Sequence, residues 1–487
     1  MNAERMANFQ ALFHPRSVVF VGASNKPGKW GSIVLANLMR NGFNGEIFPV
    51  NPGEAEVQGL KAYARIADVP GSPDLAAIVV PPPAVPGVID ECTAKGIRAG
   101  VVITAGFAEV GRDGLRLQEE MVDRARAGGM ILVGPNCNGI ISPPGRLHLA
   151  MPPVYPAAGT MAVIGQSGNV ATSIARRIMK LGFGLSRFVS SGNEADLHCE
   201  DYFRHLAEDP ETRVILSYVE GFRDGARFLR IAREVTARKP LLMLKAGGTG
   251  AGARAAMSHT ASLAGSDAAF RGAVRQAGVI RARNMDDMVN MALGLARQPL
   301  PRGRRVGIVT AGGGWGVLAA DACARAGLDV VDLPADTLAE LDAFMPAWWN
   351  PGNPVDLVAA LKPDHLWKSL EGLLRCPVVD GVIMLGIMPA LPWRPLPPKI
   401  TQEEIKERLS DFLAGVRRVF ERFDQMAETY KKPVVVASEI PVVGPDLEAR
   451  MAEVLGPKGY VCYQTPEDAA TVMAALADYA EYLRDRN

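Results

Sequence analysis

Short runs of apolar, often β-branched residues recur along the chain, each followed by a glycine-containing turn and a segment whose apolar residues return every three or four positions. This order is typical of parallel strands joined by crossover helices. It restarts twice, so we predict three α/β regions. The strands predicted for the first region are at residues 17–21, 46–50, 75–80, 100–104 and 130–133.

Two proline-containing stretches separate the regions. Residues 142–156 are predicted to be a linker, and residues 298–303 mark a second boundary. The strands predicted beyond the first boundary are at 160–165, 214–218, 240–245, 305–310, 381–385 and 433–438. The helices predicted there include one near 286–296, which closes the second region, and one near 401–430. We therefore predict a doubly wound, Rossmann-like domain at 1–155 and flavodoxin-like domains at 156–300 and 301–487.

Composition and charge narrow the class of protein. The formal net charge of the 487 residues is +1, which does not suit a nucleic-acid-binding surface. The six cysteines are scattered without a CxxC pair, so we predict neither a disulfide framework nor a metal site. No stretch approaches the ~20 apolar residues of a membrane span. We expect a soluble, cytoplasmic protein.

The loop that follows the first predicted strand is a candidate phosphate site. It runs from Gly22 to Gly31, where backbone amides and the dipole of the next helix favour an anion. The loop lacks GxGxxG spacing, and the second strand ends in Val50-Asn51-Pro52 instead of the acidic residue that binds an NAD ribose. A CoA-like ligand therefore competes well with a dinucleotide. Glycines needed only for a tight turn are the alternative interpretation.

The middle region has a second candidate, the turn Gly165-Gln166-Ser167-Gly168-Asn169, which separates a predicted strand from a helix. Its amides suit a phosphoryl group, and a helix N-cap by Ser167 is the plainer alternative. His259 lies among small residues without apolar periodicity, so it is a candidate phosphoryl acceptor that Glu220, after a predicted strand, would orient. A solvated loop histidine and a surface glutamate remain the alternatives.

Several motifs in combination resemble one family, the α subunits of nucleoside-diphosphate-forming acyl-CoA synthetases, such as ADP-forming acetyl-CoA synthetase. Succinyl-CoA synthetase α subunits are more distantly similar. The motifs are Val21-Gly22-Ala23-Ser24, Pro49-Val50-Asn51-Pro52, Gly134-Pro135-Asn136-Cys137, Gln166-Ser167-Gly168, Ser190-Ser191-Gly192-Asn193-Glu194-Ala195-Asp196, Ser258-His259-Thr260 with Leu263-Ala264-Gly265, and Asn353-Pro354-Val355-Asp356-Leu357.

This resemblance covers essentially the whole chain and implies a CoA-binding domain followed by two succinyl-CoA-synthetase-like domains. It implies that His259 is phosphorylated and that Glu220 supports it. The residues implied to bind phosphate are Gln166, Ser167, Gly168 and Asn169. The residues implied to contact CoA are Gly22, Ala23, Ser24, Asn25, Lys29, Asn51, Pro52, Thr104, Ala105 and Asn136.

The chain departs from the family in two informative ways. Relatives often have a lysine just after the Asn51-Pro52 turn, where this chain has Gly53 and Glu54, so Lys29 is a candidate substitute for contacting the CoA phosphate. The chain also lacks the ATP-grasp module of the family. A separate β subunit that binds ATP or GTP with Mg²⁺ is therefore implied, and with it a hetero-oligomer.

The expected reaction is the reversible conversion of a carboxylic acid, CoA and ATP into acyl-CoA, ADP and phosphate, through an acyl phosphate and phosphohistidine. Two alternatives remain open at this point. One is an NAD-dependent Rossmann oxidoreductase, which the missing acidic residue on the second strand disfavours. The other is a non-catalytic, CoA-binding regulatory subunit, which the presence of both His259 and Glu220 disfavours.

Overall fold

A computed structural model describes residues 3–247, 267–358, 362–387, 401–438 and 447–486. They belong to two compact units. The first unit comprises Met1–Met179 and Gly184–Arg283, and the second comprises Lys180–Phe183 and Asn284–Asn487. In the part of the chain that is described, no helix combines the length and the apolar character needed to cross a bilayer.

The first sheet consists of five parallel strands. Its strands are β1 (Ser17–Val21), β2 (Glu46–Val50), β5 (Leu75–Ile78), β6 (Ala99–Val102) and β7 (Ile131–Val133), and a hairpin of β3 (Glu56–Val57) and β4 (Leu60–Lys61) follows β2. Its helices are α1 (Ala3–Phe13), α2 (Trp30–Arg40), α3 (Val85–Ala94) and α4 (Arg112–Ala127). The strand order is β2-β1-β5-β6-β7, so successive strands are added to one side of β1 and then, from β5 onward, to the other side. This order confirms the predicted doubly wound domain.

The second sheet has seven strands and shares the first unit. Its strands are β8 (Gly139–Ser142), β9 (Leu147–Ala150), β10 (Ala158–Gly165), β11 (Leu185–Ser190), β12 (Val214–Val219), β13 (Leu241–Lys245) and β14 (Ile280–Arg281). Its helices are α5 (Gly168–Lys180), α6 (Cys199–Glu208), α7 (Gly225–Thr236) and α8 (Asp267–Gln276). Five of the strands are parallel, in the order β14-β13-β12-β10-β11, as a flavodoxin-like domain requires.

The predicted linker at 142–156 is wrong, because part of it forms a strand. β8 and β9 pair as an antiparallel hairpin, and β8 pairs antiparallel with β11 in the second sheet. Asn37 of α2 donates hydrogen bonds from Nδ2 to the carbonyl oxygens of Ala150 at 2.9 Å and Met151 at 3.2 Å. The hairpin therefore completes the second sheet and also packs on a helix of the first.

The third sheet, in the second unit, repeats the parallel arrangement. Its strands are β15 (Arg305–Thr310), β16 (Asp329–Val330), β17 (Val355–Asp356), β18 (Gly381–Leu385) and β19 (Val434–Ala437). Its helices are α9 (Met285–Arg297), α10 (Gly313–Arg325), α11 (Ala335–Asp342), α12 (Pro363–Arg375), α13 (Gln402–Tyr430), α14 (Leu447–Leu455) and α15 (Pro466–Arg484). The order is β16-β15-β18-β19, with β17 also paired to β15, which agrees with the predicted third flavodoxin-like sheet.

Helix α9 forms where the sequence predicts a helix near 286–296. It packs in the second unit, where Asn290 donates to Asp468 of α15 at 3.1 Å and accepts from the hydroxyl of Tyr463 at 3.2 Å. The buried face of α9, which includes Met288 and Leu293, covers the third sheet's helical layer. An amphipathic pattern predicts that a helix covers a core but does not say which core.

Candidate functional site

A cavity of about 860 Å³ opens at the carboxyl ends of β1, β2, β5 and β6, where the strand order of the first sheet reverses. Doubly wound sheets bind their ligands at this position. The residues predicted to contact CoA all line this cavity, except Asn25. Those that line it are Gly22, Ala23, Ser24, Lys29, Asn51, Pro52, Thr104, Ala105 and Asn136.

The first loop is packed so closely that sterics alone require two of its glycines. A Cβ on Gly22, whose φ is +90°, would lie 2.2 Å from the carbonyl oxygen of Val79. A Cβ on Gly31, near the start of α2, would lie 2.0 Å from the carbonyl oxygen of Gly22. The tight-turn interpretation thus accounts for both glycines, and any role of the loop in binding depends on the cavity beside it.

Asn25 has a structural contact instead of a place in the cavity wall. Its Nδ2 donates to the carbonyl oxygen of Glu56 at 2.9 Å and to the carboxylate of Glu54. Its Oδ1 accepts from the backbone N–H of Gln58 at 2.8 Å. Asn25 therefore joins the first loop to the hairpin of β3 and β4, and its partner Glu54 follows the Asn51-Pro52 turn together with Gly53.

The cations of the cavity wall are Lys29 and Arg65. Neither side chain makes a hydrogen bond or an ion pair with another residue of the described chain. Both charges are therefore available to a phosphate-bearing ligand. Sequence reasoning missed Arg65, because it follows the short strand β4 in a loop without a recognisable motif.

The cavity lies next to the turn of residues 165–169 in the second sheet, which we call the phosphate turn because it is the candidate phosphate site. Asn138 lines the cavity, and its backbone N–H donates to Oγ of Ser190 at 2.9 Å. A Cβ on Gly168 would lie 2.4 Å from Nδ2 of Asn138, so any larger residue at the start of α5 would require the Asn138 side chain to move. A ligand in the cavity and an anion at the start of α5 would thus be separated by one amide side chain.

Gln166 has partners at both ends of its side chain. Its Oε1 accepts from the backbone N–H groups of Glu220 at 2.5 Å and Gly221 at 3.2 Å. Its Nε2 donates to the carbonyl oxygen of Gly221 at 2.9 Å and to Oε2 of Glu194 at 3.0 Å. Its backbone N–H donates to the carbonyl oxygen of Tyr218 at 3.1 Å. Gln166 therefore ties the turn to Glu220, which leaves residues 167–169 to supply donors at the turn.

Those three residues are partly open to solvent. Ser167 and Gly168 are half-buried and Asn169 is exposed. The first N–H groups of a helix have no partner within it, so this end of α5 offers amides to an anion. The hydroxyl of Ser167 makes no hydrogen bond within the described residues, which disfavours the plain N-cap interpretation.

Glu220 is buried just beyond the end of β12, with 8% of its surface exposed. Burial, together with the negative charge of the nearby Glu220 carboxylate, raises the pKa of Tyr218. On the neighbouring strand, the backbone N–H of Ala246 donates to the carbonyl oxygen of Val219 at 2.9 Å. The chain thus leaves β13 beside Glu220.

His259 lies outside the described residues, as do the other motif residues from Ser258 to Gly265. Its position in the sequence is in the connection between Gly247, the last described residue after β13, and Asp267, where α8 begins. The predicted pairing of His259 with Glu220 remains a prediction.

Glu194 is a buried acid that sequence reasoning did not assign to the site. It has 6% of its surface exposed, and its Oε1 accepts from Oγ of Ser191 at 2.7 Å. Burial raises the pKa of the Glu194 carboxyl to about 7. The available signal was its motif, because an acid inside a run of small residues after a buried strand is unusual for a surface loop.

Family models match most of the chain. Residues 16–143 match a CoA binding domain, residues 158–295 match a succinyl-CoA ligase like flavodoxin domain, and residues 306–403 match a Ligase-CoA domain. The first two matches contain the cavity and the turn at the start of α5, respectively. The site residues therefore lie within the modules that the family models describe.

Individual relatives are similar over nearly the full length. The α subunit of ADP-forming acetate–CoA ligase II of Pyrococcus furiosus is 38% identical over 470 residues, covering 96% of this chain and 97% of the relative. The ADP-forming 4-hydroxybutyrate–CoA ligase of Nitrosopumilus maritimus is 31% identical over 477 residues, covering 97% of this chain but 64% of the relative.

A solved structure supports the same assignment. Acetyl-coenzyme A synthetase 1 of Ca. Korarchaeum cryptofilum, in complex with phosphate and ADP, is 34% identical, with a TM-score of 0.83 and coverage of 99% of both chains. This chain belongs to the α subunits of the ADP-forming acyl-CoA synthetases, acid–thiol ligases that form acyl-CoA with release of ADP.

Proposed function

We propose that this chain binds CoA in the cavity of the first sheet and carries the reacting phosphoryl group on His259, while a separate ATP-grasp β subunit binds ATP and Mg²⁺. The observation that supports this most directly is the contact of Gly168 with Asn138. It brings the start of α5, which suits a phosphate, beside a cavity large enough for CoA. An acyl phosphate has to meet the CoA thiol, so the two sites are required to be neighbours.

Two charged side chains suit the CoA phosphates. Lys29 and Arg65 line the cavity without internal partners, and Lys29 immediately precedes α2. In this proposal they replace the lysine that relatives often have after the Asn51-Pro52 turn. Asn51 itself is engaged, because its Nδ2 donates to the carbonyl oxygen of Ala23 at 2.9 Å. A neutral, engaged residue at the end of β2 also disfavours NAD, whose ribose needs a free acidic partner.

The phosphoryl group would be held at the start of α5. The amides of residues 167–169 and the positive end of the helix dipole favour a doubly charged phosphate, and the hydroxyl of Ser167 adds a donor. Glu220 would accept a hydrogen bond from one ring nitrogen of His259. This bond fixes the tautomer, leaves the other nitrogen free to attack, and stabilises the positively charged ring.

In the direction of acyl-CoA formation, the proposed reaction has three steps. A ring nitrogen of His259 attacks the γ-phosphorus of ATP on the partner subunit, and ADP leaves. A carboxylate oxygen of the acid then attacks the phosphorus, which releases His259 and forms an acyl phosphate. The thiolate of CoA attacks the carbonyl carbon, and inorganic phosphate leaves with the electrons of the broken C–O bond. The amides at the start of α5 stabilise the phosphate as its charge develops.

The names and lengths of the relatives support a separate partner. The similar Pyrococcus protein is named an α subunit, and about a third of the longer Nitrosopumilus ligase lies outside the part that this chain covers. We propose that a β subunit supplies the function of that additional part. The acid that this chain activates differs between relatives, whose names specify acetate and 4-hydroxybutyrate.

Phosphoryl labelling tests the role of His259. The complex with its β subunit, given γ-labelled ATP, should acquire an acid-labile label on this chain, and His259→Ala should lose both the label and net acyl-CoA synthesis. Glu220→Gln should retain both at a reduced rate, because it keeps the shape but loses the charge. His365→Ala, in the second unit, is the matched control. Normal turnover and normal labelling in His259→Ala would disprove the phosphohistidine.

Calorimetric titration tests the cavity. CoA should bind the wild-type chain and NAD should not, and Lys29→Ala and Arg65→Ala should each weaken CoA binding about tenfold, the effect of losing one charge-assisted hydrogen bond. Lys26→Ala removes a neighbouring charge that does not line the cavity and should leave CoA affinity unchanged. Tight NAD binding without CoA binding would overturn the assignment.

A further inference from the structure

The loop between β11 and α6 contains an acid that the proposed reaction does not use. Glu194 is almost completely buried, and its φ of +51° is rare for a residue with a side chain. Burying a carboxylate and straining its backbone both cost free energy. Contacts with neighbouring residues have to offset this cost. For Glu194, one of these contacts is with Gln166 of the phosphate turn.

A continuous series of hydrogen bonds joins Glu194 to Glu220. The carboxylate of Glu194 accepts from Oγ of Ser191 at 2.7 Å and from Nε2 of Gln166 at 3.0 Å. The same Nε2 donates to the carbonyl oxygen of Gly221 at 2.9 Å, while Oε1 of Gln166 accepts from the N–H groups of Glu220 and Gly221. One amide side chain thus connects the buried acid to the peptide that carries Glu220.

We propose that Glu194 is a positioning residue of the ligase reaction, which holds the amide of Gln166 in a single orientation and thereby fixes Glu220 beside the phosphate turn. This inference rests on the role proposed above for Glu220. Glu194 itself touches no reacting atom in this scheme. Its effect passes through Gln166, whose backbone forms the turn and whose side chain supports the end of β12.

The orientation follows from the chemistry of the donors and acceptors. An amide has an acceptor at one end and two donors at the other, and Oε2 of Glu194 accepts from Nε2 of Gln166. If the amide of Gln166 were reversed, its N–H groups would face the N–H groups of Glu220 and Gly221, and its oxygen would face the carboxylate of Glu194. Both ends of the contact therefore select the same rotamer, and Glu194 anchors it to the loop after β11.

A glutamine at position 194 can reproduce this contact. Its oxygen would accept from Nε2 of Gln166, and its own amide would donate to Oγ of Ser191. That hydroxyl can then donate to the carbonyl oxygen of Gly165, which lies 3.3 Å away. Alanine at position 194 keeps the backbone conformation to the same extent but removes the acceptor. Glu194→Gln is therefore the conservative variant and Glu194→Ala the disruptive one.

The test uses the complex of this chain with its β subunit and measures kcat, the KM for CoA and labelling of His259. Glu194→Ala should lower kcat and the labelling rate about tenfold and leave the KM for CoA within about twofold, because CoA binds to the other sheet. Glu194→Gln should restore kcat to within about threefold of wild type. Loss of folded protein would also lower the apparent kcat without changing the KM, so urea denaturation first establishes that each variant is folded, and rates are then compared per folded enzyme.

A reciprocal pair of substitutions keeps the proposal falsifiable. Gln166→Glu places a second carboxylate against Glu194 and should lower kcat about 100-fold. Adding Glu194→Gln supplies a donor to the new carboxylate and should recover at least about tenfold of this loss, which is a direct coupling between the two side chains. Additive effects in this cycle, or wild-type kcat in a folded Glu194→Ala, would overturn the proposal.

The same assay separates this inference from the proposed function. If His259→Ala remains active, the phosphohistidine mechanism fails and the role of Glu220 fails with it. If His259→Ala is inactive while a folded Glu194→Ala turns over normally, only the positioning role of Glu194 is wrong.

Discussion

Helices α5 and α10 begin in the same way, but the side chain beside the first glycine is neutral in α5 and negatively charged in α10. Each follows a central, buried strand of its sheet, β10 and β15 respectively, and each has glycine at its first position. A Cβ on Gly168 of α5 would meet the neutral amide of Asn138, whereas a Cβ on Gly313 of α10 would lie 2.7 Å from a carboxylate oxygen of Asp356. Among the described residues, the side chain that most closely approaches the first glycine is neutral in α5 and negatively charged in α10.

The strand–glycine–helix pattern therefore does not by itself make a phosphate site. In the third sheet, Asp356 is already the anion near the helix start, and its other oxygen accepts from the N–H of Val358 at 2.9 Å. In the second sheet, Glu194 lies behind the turn and accepts a hydrogen bond from Nε2 of Gln166. An acid behind a turn can orient it, whereas an acid in front competes with any phosphate.

Introducing a negative charge that faces the start of α5 should produce the largest effect on phosphate binding. Asn138→Asp would place a carboxylate against the start of α5, as in the third sheet, and should raise the KM for inorganic phosphate in the reverse reaction on the order of 100-fold. That is the change expected from about 3 kcal/mol of repulsion. Steady-state kinetics with acyl-CoA and ADP held in excess measures it. An unchanged KM for phosphate would show that phosphate binds elsewhere.

Glu194, the acid behind the turn, should make the free energy of unfolding depend on pH. Burial, opposed by hydrogen bonds from Ser191 and Gln166, raises the pKa of Glu194 to about 7, and the charge of Glu200 adds to the increase while Arg223 opposes it. The unfolded chain releases this proton near its ordinary pKa of 4.5. The wild type should therefore lose stability relative to Glu194→Gln as pH rises from about 4.5 to 7, and the difference should level off above pH 7.

The size of this loss should be on the order of 3 kcal/mol, given the shift of the pKa. Urea denaturation of both chains at pH 5, 6, 7 and 8 measures it. Cys199 and Tyr202, which also face Glu194, have pKa values that burial raises well above their ordinary ones, so neither should titrate in this range. Parallel stability curves for the two chains would contradict a raised pKa.

The smallest effect should come from removing the charge in the third sheet. Asp356→Asn keeps the acceptor for the N–H of Val358, so stability should change by less than about 1 kcal/mol. Turnover and the KM for phosphate should stay within about twofold of wild type, because α10 has no part in the proposed reaction. A tenfold loss of turnover would place the third sheet in the chemistry and reverse the comparison.

The sequence predicted the parallel strands well for a physical reason. Strands such as β1 and β18 are buried on both faces, and continuous apolar runs between turn residues identify them. The β8–β9 hairpin escaped prediction because its partner, β11, follows more than 30 residues later and its own residues lie among prolines. Local periodicity contains no information about such a pairing.

Site residues could be predicted from the sequence where they belong to a motif. They could not be predicted where only the folded structure brings them to the site. Asn51 and Gly168 belong to motifs and lie at the cavity or beside it. Asn25 belongs to a motif-bearing loop too, yet its side chain binds the neighbouring hairpin. Arg65 and Glu194 gain their importance from what folding brings near them, which spacing along the chain does not reveal.

The hairpin of β8 and β9 has a consequence for how such proteins can be recombined. Its strands complete the second sheet, while Asn37 of α2 bonds the end of β9 and the hydroxyl of Tyr155 at 2.7 Å. A gene fusion joined within residues 139–155 would leave either an uncovered sheet edge or a helix without its partners. We expect functional chimaeras of related ligases to inherit the first two sheets together from one parent, with crossovers tolerated only outside this pair.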